Sequence, residues 1–77
     1  MDDRQKLEAN RRLLSKTKSE LSLLKAGNAA VIEKYVPNFP GKTREEIRQM
    51  LILARDADIE SFTHIIEVYE KQIAGSN

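Results

Sequence analysis

The fold is decided by residues 43–75, TREEIRQMLILARDADIESFTHIIEVYEKQIAG, in which no proline occurs and no glycine precedes Gly75. Thr43 and Glu46 have the spacing of a capping box, in which the threonine side chain accepts from the glutamate N–H and the glutamate carboxylate accepts from the threonine N–H. Ile47 begins the apolar pattern directly afterwards. We therefore predict a helix over residues 44–73, about 45 Å long at 1.5 Å per residue.

The apolar residues of this helix are spread around more than half of its circumference. At 100° per residue they cover an arc of roughly 220°. The set comprises Ile47, Met50, Leu51, Ile52, Ala54, Ala57, Ile59, Phe62, Ile65, Ile66, Val68, Tyr69 and Ile73. Such a broad arc needs more than one neighbouring element to cover it.

A second helical pattern occupies residues 3–26, where Asp2 and Asp3 suit the positive end of a helix dipole. Its apolar stripe is roughly 120° wide. The stripe consists of Leu7, Leu13, Leu14, Thr17, Leu21 and Leu24, with Asn10 inside it. This pattern indicates an amphipathic helix with one buried face.

The connecting residues favour a short helix and then a turn. Gly27 can end the first helix in the left-handed conformation, and Asn28 can cap a helix over residues 29–35. Residues 36–43 contain both prolines and Gly41, which is turn chemistry. We expect Phe39 to fill the end of the hairpin.

The predicted fold class is all-α, one domain over residues 1–77, with a long helix, a short helix, a Pro/Gly turn and a long helix forming a helical hairpin. Residues 1–26 carry seven Lys/Arg against four Asp/Glu, whereas residues 44–77 carry four against seven, which suits antiparallel pairing. The chain has 77 residues and no cysteine, so disulfides cannot stabilise a core of this small size. We expect hairpins to pair into a dimeric helical bundle.

One row of side chains on the long helix is predicted to face a partner, because a 120° stripe cannot cover a 220° arc. Ile52, Ile59, Ile66 and Ile73 repeat every seven residues and would form a second seam. An exposed seam of this size would be an apolar patch that soluble monomers rarely tolerate. The predicted partner-binding residues are Ile52, Leu53, Ile59, Phe62, Ile66 and Ile73, and Leu23 is a further apolar residue outside the first helix's stripe.

Asp58 falls near the centre of the apolar arc, where a carboxylate needs a partner. Arg55 on the same helix, or Arg11 or Lys18 on the first helix, could supply it. One interpretation is that Asp58 and Arg55 form a polar device that fixes register or partner choice. The other is that Asp58 is partly exposed at the edge of the bundle.

No pattern in the sequence indicates an enzyme, a metal site or a cofactor. His64, the single histidine, shares a helix face with Asp56, Glu60 and Glu67, which is the pattern of an ordinary solvated face. Catalytic and structural metal sites need three or four convergent ligands. We therefore predict no catalytic, metal-binding or cofactor-binding residues.

The composition favours a non-enzymatic protein–protein interaction module: a small regulator, an adaptor or a chaperone-like protein that acts through the apolar face of its long helix. Its partner would be a second copy or a different protein. The alternative is a nucleic-acid-binding module that uses the basic first helix, although the net charge of +1 is far from strongly basic. The N-terminus is charged and no stretch is long and apolar enough for a membrane span, so we expect a cytoplasmic protein without a membrane partner.

Overall fold

The computed structural model describes residues 2–75 and consists of three α-helices joined by short connections. The helices are α1 (Asp3–Lys25), α2 (Ala29–Tyr35) and α3 (Arg44–Gly75), and a 3₁₀ turn occupies Val36–Asn38. Residues 2–75 contain no strand, and the fold is all-helical, as predicted. The molecule is a rod with extents of 52 × 21 × 18 Å, because α3 alone has 32 residues.

The capping box predicted at Thr43 is present and starts α3. Thr43 Oγ1 accepts a hydrogen bond from the Glu46 N–H at 3.1 Å, and Glu46 Oε1 accepts one from the Thr43 N–H at 3.1 Å. α1 begins with a second capping box, in which Asp2 and Gln5 exchange hydrogen bonds at 2.8 and 3.0 Å. Both long helices therefore begin at residues whose side chains satisfy the free N–H groups of the first turn.

The connection between α1 and α2 is a tight reversal centred on Gly27. Gly27 has a φ of 75°, the left-handed conformation that glycine adopts without steric cost. The Asn28 N–H donates to the Leu23 carbonyl at 3.0 Å, and the Gly27 N–H donates to the Leu24 carbonyl at 3.0 Å. This pair of bonds is a Schellman motif, and it ends α1 at Lys25, one residue before the predicted end. Asn28 Oδ1 then caps α2 by accepting from the Val31 N–H at 3.1 Å.

α1 and α3 lie antiparallel and meet along two seams whose members alternate three and four residues apart. The α1 seam comprises Leu7, Asn10, Leu14, Thr17, Leu21 and Leu24; the α3 seam comprises Arg48, Ile52, Arg55, Ile59, Phe62, Ile66, Tyr69 and Ile73. Every one of these residues is buried or half-buried. An average spacing of 3.5 residues keeps both seams in contact along two long helices.

The two polar members of the α1 seam satisfy their donors within α1. The Asn10 amide donates to the Lys6 carbonyl at 2.7 Å, and the Thr17 hydroxyl donates to the Leu13 carbonyl at 2.7 Å. A half-buried donor without a partner would cost about 1–3 kcal/mol. Because of these local bonds, α1 and α3 can stay in contact at both polar positions.

The hydrophobic core lies at the turn end of the rod, where α2 packs against both long helices. Leu24, Ile32, Ile47 and Leu51 form its buried cluster. Phe39 packs against that cluster, which confirms that it fills the hairpin end. The partly buried residues around the cluster are Val31, Tyr35, Val36, Phe39 and Ile52.

Two burial expectations are wrong. The isoleucine row Ile52, Ile59, Ile66 and Ile73 was expected to be left uncovered by the first helix, but Ile66 is only 8% exposed and the other three are half-buried. The four isoleucines occupy alternate positions of the seam that faces α1. Leu13, expected in the buried stripe, is 47% exposed, because the three-and-four spacing uses its neighbour Leu14 and turns Leu13 about 100° away.

Arg48 joins the start of α3 to the end of α1. Its Nε donates to the Leu24 carbonyl at 2.7 Å, and its Nη2 donates to the Lys25 carbonyl at 2.8 Å. Both carbonyls belong to the last turn of α1, where helix geometry leaves acceptors free and the dipole favours a cation. Glu45 holds the guanidinium from the opposite side at 3.0 Å. One side chain of α3 thus caps the C-terminus of α1.

We predict that Arg48→Met lowers the free energy of unfolding by about 2 kcal/mol, because it removes two charge-assisted hydrogen bonds and leaves two carbonyls without this donor. Urea denaturation followed by circular dichroism measures the change. Arg12→Met is the matched control, because Arg12 is exposed and pairs only with Glu8 within its own helix. Equal stability of the two variants would contradict the capping role.

Acid should weaken the start of α3. Hydrogen bonds from the backbone and side chain of Thr43, together with the charge of Lys42, hold the pKa of Glu46 below its ordinary value of 4.5. A lowered pKa in the folded state stabilises the protein above the unfolded pKa, and this stabilisation is lost as the pH falls through the folded pKa.

We predict that Glu46→Gln reduces the stability lost between about pH 6 and about pH 3, since glutamine caps the helix without titrating. Urea denaturation of both proteins at the two pH values tests this. The same loss in the wild type and the variant would show that the Glu46 carboxylate does not contribute.

Candidate interaction surface

The structure separates the predicted partner-binding residues into two groups. Leu53 is 71% exposed, the highest value among the large hydrophobic residues of the described chain. The other predicted residues lie in the α3 seam against α1, where Ile66 is buried and Ile52, Ile59, Phe62 and Ile73 are half-buried. Leu53 is therefore the predicted residue that is accessible to another protein without unpacking the two long helices.

A second apolar line runs along α3 on the side turned away from α1. Met50, Leu53, Ile65 and Val68 are its large side chains, and all four are exposed. At 100° per residue this line lies roughly 150° around α3 from the α1-facing seam. We call the line the α3 strip; its members are Met50, Leu53, Ala54, Ala57, Ser61, His64, Ile65 and Val68, all exposed.

The α3 strip has small side chains in its middle and large ones toward its ends. Ala54, Ala57 and Ser61 lie between the pair Met50 and Leu53 and the group His64, Ile65 and Val68. Helix axes approach each other to 8–10 Å depending on the side chains at the contact, and small ones allow the closer distance. The middle of the strip would therefore allow a closer approach of another helix than its ends would.

The sequence contained a signal that would have located this strip. Both long helices carry a row of residues at alternating spacings of three and four, and matching the two rows assigns the isoleucines to the intramolecular contact. Of the large apolar residues of α3 outside that row, Ile47 and Leu51 are buried at the turn end, and Met50, Leu53, Ile65 and Val68 are exposed. The width of the apolar arc predicted that the first helix would leave some apolar residues of α3 uncovered, but it did not identify which ones.

A polar cluster ties the three helices together beside the seam. The Tyr35 hydroxyl of α2 donates to Glu20 of α1 at 2.9 Å, and the Arg55 guanidinium of α3 lies 3.6 Å from the same carboxylate. Arg55 Nε lies 3.4 Å from Asp58, which confirms Arg55 as the partner of Asp58. Arg11, another partner considered for Asp58, pairs instead with Glu70 at 3.4 Å. The sequence did not indicate that Glu20 and Tyr35 would join this cluster.

Asp58 lies at the edge of this cluster, with its side chain 45% exposed. It lines a groove of about 320 Å³. The groove is lined by Leu13, Lys16, Thr17, Glu20, Lys34, Tyr35, Arg55, Asp58 and Phe62. This placement matches the interpretation of Asp58 as a partly exposed edge residue, and its ion pair with Arg55 is a contact within α3.

Two of the seven basic side chains of α1 pair with carboxylates of the same molecule. Arg11 pairs with Glu70 of α3, and Arg12 pairs with Glu8 one turn earlier. All four side chains are about half or more exposed to solvent. A phosphate backbone would therefore have to compete with carboxylates that already neutralise part of this surface.

No group of three or more His, Asp or Glu side chains among residues 2–75 converges in a way that would hold a metal ion; the histidine of the predicted acidic face, His64, is exposed. Within the same residues, no helix has both the length and the apolar character that crossing a bilayer requires.

The pKa of the Tyr35 hydroxyl depends on the contacts that Tyr35 makes in the polar cluster. The hydrogen bond to Glu20, together with burial and the charge of that carboxylate, raises the pKa of Tyr35 above its ordinary value of 10.0. We predict that Glu20→Gln moves the pKa of Tyr35 back toward that value, because the negative charge beside the phenol is lost. Ultraviolet titration in a Tyr69→Phe background isolates the signal of Tyr35. An identical titration midpoint with and without Glu20→Gln would contradict the contact.

Comparison with known proteins does not assign a function to these surfaces. No protein family, curated protein or solved structure matches the chain. The surfaces described above are therefore the basis on which a function is proposed.

Proposed function

We propose that this protein is a non-enzymatic protein–protein interaction module that binds its partner through the α3 strip. The observation that carries the proposal is the exposure of four large apolar side chains in one line of a single helix. Met50, Leu53, Ile65 and Val68 all belong to that line. Contiguous apolar surface of this kind on a soluble domain marks a site of interaction with another macromolecule.

The energetics of the strip support this proposal. Moving a Leu, Ile, Val or Met side chain from water into an apolar contact stabilises a complex by about 1.5–3 kcal/mol when burial is complete. Part of this gain offsets the lost translational and rotational freedom of association. Four such residues on one helix, with small residues between them, match helix-on-helix recognition, in which the apolar face of one helix packs on another helix or in a groove.

The position of the strip also supports binding without a conformational change. α1 covers the opposite side of α3, and the capping by Arg48 and the cluster around Arg55 hold the two helices together. The strip is therefore presented on a helix whose conformation is fixed before the partner arrives, which lowers the entropic cost of binding. A small regulator, an adaptor or a chaperone-like protein would each use such a face.

We favour this function over nucleic-acid binding because of the charges around the basic helix. Arg11 and Arg12 are paired with carboxylates of the same chain, and the net charge is +1. Aromatic side chains that would stack on bases are also scarce, with two tyrosines and two phenylalanines in the sequence. Tyr35, Phe39 and Phe62 are half-buried among the helices.

We predict that Leu53→Lys abolishes partner binding while the folded state is retained, since a charge placed within an apolar interface would be desolvated without a counter-ion. Affinity capture with tagged wild-type protein and with the variant, quantified by mass spectrometry, measures the loss. Ile59→Lys is a poorer probe, because Ile59 is half-buried in the seam against α1 and its replacement would also unfold the protein.

Leu23→Lys is the matched control for this experiment. Leu23 is 42% exposed on α1, away from the α3 strip, so the same chemical change is made on a different surface. Circular dichroism establishes that both variants are helical. Equal capture by Leu53→Lys and the wild type, or equal loss in both variants, would contradict the proposed role of the strip.

A further inference from the structure

We infer that the partner is a second copy of this chain, bound antiparallel through the α3 strip, with the twofold axis passing level with Ile59. This inference rests on the proposed function, because it names the occupant of the same surface. It follows from three properties of the strip: the symmetry of its residue pattern, the size of its central side chains, and the charges at its two ends.

The residue pattern of the strip is symmetric about position 59. Met50 and Val68 lie nine positions before and after Ile59, and Ala57 and Ser61 lie two positions before and after it. In an antiparallel pair with this centre, Met50 of one copy meets Val68 of the other, and Ala57 meets Ser61. Each of these contacts occurs twice. A surface that is complementary to itself under a twofold rotation is the requirement for an isologous dimer.

The side chains on the two flanks of the strip also lie at nearly equal distances before and after Ile59. Leu53 and His64 lie on one flank of the strip, six positions before and five after Ile59. Ala54 and Ile65 lie on the other flank, five positions before and six after. In the antiparallel pair each large residue therefore packs beside a residue of the same flank in the second copy. The small residues at the centre allow the two α3 helices to approach closely near the twofold axis.

Charges at the two ends of the strip distinguish antiparallel from parallel pairing. Glu46 and Lys71 are exposed and lie at opposite ends of the strip, on the same flank as Leu53. Antiparallel pairing with the axis level with Ile59 places Lys71 of each copy beside Glu46 of the other, where the Glu46 carboxylate also lies 3.9 Å from Lys42 of its own chain. A parallel twofold pair would place this flank of the two copies on opposite sides of the contact, so Glu46 and Lys71 of different copies would not meet.

The small core gives the chain a reason to self-associate. The large residues buried among residues 2–75 are Leu7, Leu21, Leu24, Ile32, Ile47, Leu51 and Ile66. The chain has no cysteine and thus no disulfide. Domains of this size commonly obtain additional stability from a partner subunit. Covering the α3 strip with a second copy would add the largest remaining apolar line of α3 to the buried surface.

The absence of cysteine allows the register to be measured by disulfide formation between single-cysteine variants. Met50→Cys and Val68→Cys are made separately, then oxidised with glutathione disulfide either alone or as an equimolar mixture. The inferred register places Cys positions 50 and 68 of different copies opposite each other, within the Cα separation that a disulfide requires. Two copies of the same variant would instead hold their thiols about 27 Å apart along the helix axis, too far to join.

The expected result is a linked heterodimer in the mixture, with little linked product from either variant alone. Asp56→Cys and Thr63→Cys provide the matched control pair: both positions are exposed and share nearly the same axial register, but they lie outside the strip. We expect no link between them. Self-linking of Met50→Cys would demonstrate a parallel pair and overturn the inference, as would equal linking in the control pair.

Sedimentation equilibrium of the unmodified chain separates failure of this inference from failure of the proposed function. A dimer that Leu53→Lys converts to a monomer, and Leu23→Lys does not, supports the inference. A wild-type monomer at every concentration overturns it. If Leu53→Lys still loses captured proteins in that case, the α3 strip binds a different protein and the proposed function stands; if it loses none, both are wrong.

Discussion

The matched spacing of the two long helices is the constraint on which the rest of this structure depends. Both α1 and α3 place their contact residues three and four positions apart, so one straight face of each helix meets the other over the length of the rod. That contact decides which apolar residues of α3 are covered. It also decides, by exclusion, that Met50, Leu53, Ile65 and Val68 face outward.

The seam tolerates polar residues because each one is satisfied by a specific partner. Asn10 and Thr17 donate to carbonyls of their own helix, Arg48 donates to the end of α1, and Arg55 pairs with Glu20. A seam of leucine and isoleucine alone would allow the helices to slide by a turn. The arginines have geometric requirements that one alignment meets, and α2 adds a further restriction through Tyr35. The polar contacts of Arg48, Arg55 and Tyr35 are thus specific to this alignment of the helices.

The sequence predicted the elements of this fold well because their signals are local. Thr43 and Glu46, Gly27 and Asn28, and the proline-rich turn each act within a few residues, and the structure contains the caps and turns that they predict. The covering of α3 was predicted wrongly because it depends on α1. The isoleucine row repeats every seven residues, and this spacing alone does not show that the row faces α1 rather than another chain. The tie between Glu20 and Tyr35 was not predicted because fifteen residues and a helix reversal separate the two side chains.

The core at the turn end gives the rod a gradient of local stability. Around Leu24 and Ile47, both fully buried, three helices converge, whereas the opposite end of the rod has two helices and smaller contacts. Backbone amides near the turn would therefore exchange with solvent mainly through global unfolding, and those near the open end through local separation of the helix ends. The two halves of the α3 strip therefore differ in the local stability of the helix that carries them. Met50 and Leu53 lie near the turn end, where α3 packs on the buried core, whereas Val68 lies near the open end, where α3 contacts only α1. A helix bound to the strip would therefore reduce local unfolding more at the open end than at the turn end.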